Sequence, residues 1–153
     1  MTLRLIGAVI FGYLCIFALG FAGIAVTWQV LGSEGAFQEG TTVASVPWSA
    51  INLLLVGPIC AVGGLLASKV AQGRGPLAAK ILAGLVLAIG LAVALAGLGA
   101  EARPLPEGKE VGDLTFFEAG GVATNPAWYA FSTPFLGALG ALAGGRVKMS
   151  SDR

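Results

Sequence analysis

The side chains that most often carry out chemistry are scarce in this sequence. It holds no histidine, so the commonest general base near neutral pH and the commonest metal ligand are both missing. Its cysteines, Cys15 and Cys60, lie deep inside separate apolar runs and form no Cys-x-x-Cys pair. They read as small buried apolar residues, and would pair only if the first two runs brought them to matching depth. Gly73-Arg74-Gly75-Pro76-Leu77-Ala78 matches the letters G-x-G-x-x-A of a dinucleotide-binding loop. That loop cradles a phosphate only between a buried strand and a helix, and here it follows an apolar run with no βαβ unit around it. The sequence therefore assigns no catalytic residue, no cofactor-binding residue and no metal ligand. A non-enzymatic protein without a cofactor and without a nucleic-acid partner is expected.

Polar side chains inside the apolar runs are the remaining candidates. Asn52, with Ser49 one turn before it, and Ser132 with Thr133 fall near the same end of two different runs. One reading makes Asn52, Ser132 and Thr133 the lining of a small polar cavity. The plainer reading is an interhelical hydrogen bond, worth about 0.6 kcal/mol in membranes. Proton-coupled carriers and ion pumps place an ionisable residue inside a span despite a cost of ~2.5–3.5 kcal/mol, because that charge is the coupling element. None of the runs here contains one, which argues against ion-coupled transport.

The elements that would position these residues are membrane spans. Of 153 residues, 56% are hydrophobic and 11% charged, whereas an ordinary globular protein carries roughly 25% charged residues. Runs at 5–31, 46–68, 81–100 and 126–145 are free of charge and reach the ~20 residues needed to cross a bilayer. The first overshoots the ~7–15 residues of a signal-peptide core, so it is expected to be retained as a helix. Pro47 falls in the first turn of the second span, where it costs no hydrogen bond, whereas Pro58 and Pro134 fall inside spans and are expected to kink them. Residues 32–45 and 101–125 are acidic, breaker-rich outer loops, and 69–80 is a basic hinge. Within the second loop, Thr115 and Glu118 have the spacing of a capping box ahead of a short helix carrying Phe116 and Phe117.

Charge orients the spans. Arg4, Lys69, Arg74, Lys80, Arg146, Lys148 and Arg153 fall on one side and only Arg103 and Lys109 on the other, so the termini and the hinge are expected in the cytoplasm. Trp28, Trp48, Trp128 and Tyr129 agree, since all lie at the outer ends of spans, where amphipathic rings prefer the interface.

Small residues mark candidate packing faces. Gly84, Ala88, Ala92 and Ala96 recur every fourth position, and Gly137, Gly140, Ala141 and Gly144 overlap in small-xxx-small patterns that let helix backbones approach closely. Advancing by eighty positions also carries Trp48, Ala50, Gly57 and Gly64 onto Trp128, Ala130, Gly137 and Gly144, the pattern of a parallel internal repeat. The expected fold is an all-α integral membrane protein, a single domain of four transmembrane helices in two hairpins with N-in/C-in topology. Its Gly/Ala/Leu bias suggests a bacterial inner membrane. The expected role is a small scaffold or accessory subunit packed against another membrane protein or a second copy. The alternative is an oligomeric small-solute channel or facilitator.

Overall fold

Helix α1 (Leu3–Ala36) is followed by α2 (Val46–Ala71), α3 (Gly75–Gly97), a 3-10 turn at Val111–Asp113, α4 (Phe116–Val122) and α5 (Ala127–Arg146). These elements belong to a computed structural model that describes residues 3–98 and 103–147. Among the described residues the only extended pairing is two isolated bridges, Phe37 with Ala44 and Val43 with Thr124. The chain is all-helical, and α1, α2 and α3 are each long and apolar enough to cross a membrane. The last long helix, α5, is diluted by Ser132, Thr133, Pro134 and several glycines.

Helix ends follow local chemistry. The first apolar run was expected to end at 31, and the backbone does leave helical geometry at Gly32, whose φ of 65° suits a residue without Cβ. A further turn then carries the helix to Ala36. At the start of α2 the Ser45 hydroxyl accepts a hydrogen bond from Trp48 N at 3.2 Å. The basic hinge is shorter than 69–80. Lys69 belongs to the last turn of α2, and Pro76, with its preset φ, opens α3 rather than interrupting it. Residues 72–74 make the reversal, with Gln72 and Gly73 at φ of 38° and 29°. The expected end of the third span at 100 lies outside the described residues, as do Glu101, Lys148, Asp152 and Arg153. Thr115 and Glu118 form the expected capping box on α4.

α2 and α5 are the central pair, with α1 packed on α2 and α3 on α5. A Cβ at Gly140 would meet the carbonyl of Gly57, one at Gly144 the carbonyl of Ala61, and one at Gly64 the carbonyl of Ala141. Such close approach supplies dispersion contacts and interhelical Cα–H···O contacts where lipid removes the hydrophobic drive. These contacts obey a two-fold rule. Advancing Gly57 and Cys60 by eighty positions gives Gly137 and Gly140, and Gly57 meets Gly140 as Cys60 meets Gly137. Likewise Ala61 meets Gly144 as Gly64 meets Ala141. The two helices therefore run parallel and present equivalent faces, as expected of a parallel repeat.

α3 packs differently from the expectation drawn from its four-residue stripe. Its inward face carries Ala79, Leu82, Ala83 and Ala94, all buried, whereas Gly84, Ala88, Ala92 and Ala96 are exposed on the outside of the bundle. The stripe beginning at Gly84 lies one residue beyond that beginning at Ala83, a turn of about 100° about the helix axis. Helix spacing identified a uniform face but could not say which face met a neighbour.

Candidate functional site: a groove and a cleft beside α3

The end of the bundle that holds Arg4 and the 72–74 reversal is closed. Leu5, Ala8, Val9, Ala67, Ala71, Ala78, Leu82 and Ala141 form its core, and Arg4 Nε donates to the carbonyl of Val70 at 3.0 Å. From there α3 and α5 lie together through Ala79 on Gly145, Val86 on Gly137 and Gly90 on Pro134. The last contact is tight: a Cβ on Gly90 would stand 2.6 Å from that of Pro134. Beyond it, a groove of about 640 Å³ opens between the C-terminal half of α3 and the N-terminal half of α5, reaching Thr124, Asn125 and Tyr129. Gly90, Thr133 and Pro134 also wall a second space, a cleft of about 230 Å³ between α1 and α3. Tyr13, Ile16, Phe17 and Gly20 form its α1 side, and Val56, Ile59 and Cys60 of α2 contribute to its floor. Proline and glycine thus create one narrow contact with an open space on either side of it.

The expected polar cavity is not assembled in that form. Asn52 is buried and donates from Nδ2 to the carbonyl of Trp48, one turn back, at 2.9 Å. It lines neither space, and nor does Ser132, which is half-buried. Thr133 lines both, and its hydroxyl donates to the carbonyl of Tyr129 at 2.8 Å. Polar side chains in a helix can satisfy themselves on the preceding turn, which removes the need for a partner across the interface. The Ser49 hydroxyl is fully buried without a partner among the described residues. Gly20, Gly90, Thr124 and Asn125 were not singled out from sequence. Only Pro134 opposite a glycine, visible once the helices are paired, would have found the groove.

The C-terminal end of α1 and the N-terminal end of α2 are roofed by the two loops. Ala44 N donates to Thr124 O and Thr124 N to Thr42 O, each at 2.9 Å, tying the loops together. Beneath them Trp28 meets the rings of Trp48, Phe116 and Phe37 edge-on, at 6.1, 5.9 and 6.5 Å. These rings help line an apolar hollow of about 270 Å³. Phe37 separates it from a groove of about 630 Å³ bordered by Glu34, Glu39, Lys109 and Glu110. Among the described residues no group of three or more His, Cys, Asp or Glu side chains is arranged to hold a metal ion.

One ion pair fastens α4 to this roof. Lys109 Nζ lies 2.6 Å from Glu118 Oε1, while Glu118 Oε2 accepts from Thr115 N at 2.9 Å and from its hydroxyl at 2.8 Å. The hydrogen bond from Lys109, followed by those from Thr115, lowers the Glu118 carboxyl from 4.5 to about 2. A depressed carboxyl stabilises the fold above its unfolded value, and that contribution is lost as pH falls from about 4.5 through about 2. Near-ultraviolet circular dichroism of the aromatic roof should therefore hold steady down to mildly acidic pH and decline below it. Lys109→Met should move the decline toward the ordinary carboxylate range. An unchanged profile in that variant would show that the ion pair does not hold the roof.

Compared with models of protein families, with curated proteins and with solved structures, the chain matches none.

Proposed function

We propose that the chain is a four-span bundle of the bacterial inner membrane, with both termini inside, that serves as a scaffold or accessory subunit. A fourth span is supported by the position of α5, which lies between α2 and α3 and follows α2 in parallel. A helix sharing that much of its length with a spanning helix shares its depth. The orientation rests on the basic residues at the inner end and the acidic roof at the other.

The observation that carries the role is the fate of the small residues. Those of α5 are used inside the chain, where Gly137, Gly140 and Gly144 face α2 or α3, whereas Gly84, Ala88, Ala92 and Ala96 of α3 face outward. A flat outward face is suited to the backbone of a second copy or of another membrane protein. In one copy the channel reading has little support, because the α2 and α5 backbones touch through the inner half.

The test is the size of the complex extracted in mild detergent. Ala88→Leu with Ala92→Leu should reduce it to that of one chain, with helix content and unfolding midpoint unchanged. The reading fails if the native chain already runs alone, or if the double variant leaves the complex intact.

A further inference from the structure

We infer that the groove and the cleft together hold one acyl chain of a bilayer lipid whose headgroup linkage is uncharged, an ester or an alcohol. The inference rests on the four-span reading, which puts the cleft at the depth of the hydrocarbon. Its wall is apolar, with Ile16, Phe17, Val56, Ile59 and Ile89 around it. A water molecule needs two to four polar partners, and the cleft offers chiefly the Thr133 hydroxyl, already donated to Tyr129 O. Lipid can reach it from the side, since Phe17 and Ile89 at its lips are both exposed.

The mouth selects the headgroup. Thr124, Asn125 and Tyr129 offer hydroxyl and amide groups at the outer end of the groove, and among the described residues no Lys, Arg, Asp or Glu lines it. An ester or hydroxyl finds hydrogen-bond partners there, whereas a carboxylate or phosphate would find no cation to offset its desolvation. From Ala127 to Gly137 the two spaces follow about 15 Å of α5, which suits one chain of medium length. The chain passes beside the Gly90–Pro134 contact along Thr133, which together with Gly90 and Pro134 borders both spaces.

The experiment uses the full-length protein in liposomes with a monoacylglycerol bearing a photoreactive diazirine on its chain, and maps the adducts by mass spectrometry. Adducts should concentrate on Phe17, Ile89 and Val93, exceeding those on the exposed Leu54 of α2 by roughly tenfold, equivalent to ~1.4 kcal/mol of preference over bulk lipid. Gly20→Phe and Gly97→Phe place a ring at the border of the cleft and of the groove, at positions where an added Cβ meets nothing within 4 Å. Each should abolish the excess. Gly7→Phe, equally open but bordering neither space, should leave it unchanged. Even labelling of Leu54 and the cleft, or an excess that survives both filling variants, overturns the inference. Equal labelling by a fatty acid bearing the same diazirine overturns the headgroup assignment. If the exposed Phe135 and Leu139 of α5 take no label at all, the four-span reading itself fails. If they do and the cleft shows no excess, only the lipid site fails.

Discussion

Gly144→Leu is expected to dismantle the bundle, while Gly84→Leu, a substitution of the same kind sixty residues earlier, is expected to leave it intact. At Gly144 the new Cβ points into the carbonyl of Ala61, a backbone group within a regular helix that has no rotamer by which to withdraw. Neighbouring contacts of Gly140 with Gly57 and of Gly64 with Ala141 depend on the same separation of α2 and α5. Relief in one place would open the others. Overpacking a core usually costs ~1–3 kcal/mol, and here the cost should reach or exceed the upper figure because two backbones must part. At Gly84 an added Cβ meets nothing within 4 Å, so stability should stay within about 0.5 kcal/mol of the native chain. Reversible unfolding in mixed micelles, followed by helical circular dichroism, measures both. Comparable losses for the two variants would mean that α2 and α5 do not meet as described.

Trp28→Ala should release the roof while sparing the spans. Its indole touches rings from α2, α4 and the first loop, so one side chain joins three segments. Each edge-on pair contributes about 0.5–1.5 kcal/mol, and truncating a buried tryptophan costs ~3–5 kcal/mol. For a half-buried ring the lower end applies, about 3 kcal/mol. The consequence should appear as rapid protease cleavage between 103 and 126 and a collapse of the near-ultraviolet signal, with helix content nearly unchanged. Continued protease resistance would assign the roof to its backbone hydrogen bonds instead, those joining Ala44 and Thr42 to Thr124.

Length and charge make the apolar helices legible in the sequence, and the Thr115/Glu118 capping box is equally readable because its chemistry is local. The hinge is shorter than its charges suggest, for a physical reason. Lys69 and Lys80 look like loop residues by charge, yet long basic side chains are tolerated in the end turns of membrane helices, where their heads reach the headgroups. The stripe on α3 illustrates a different limit. Four-residue spacing shows that Gly84, Ala88, Ala92 and Ala96 share a face, but which face meets α5 depends on the rotation of a whole helix, here one that puts Val86 against Gly137. The groove was least legible of all. It arises where α3 and α5 separate beyond one proline and one glycine on different helices, and Asn52, the most conspicuous polar residue, is occupied by its own helix.

The parallel pairing of α2 with α5 also sets an order of events during synthesis. α2 is complete at Ala71, but the helix that covers its carbonyl-lined face ends only at Arg146. At about 5–20 residues per second the ribosome needs roughly 4–15 s to supply it. Throughout that interval the first two helices wait with the Gly57, Ala61 and Gly64 surface vacant. Because α2 and α5 present equivalent faces, the vacancy suits the α2 of a neighbouring nascent chain nearly as well as its own α5. Crowded synthesis should therefore favour entangled dimers, and slow, dilute expression the single-chain bundle.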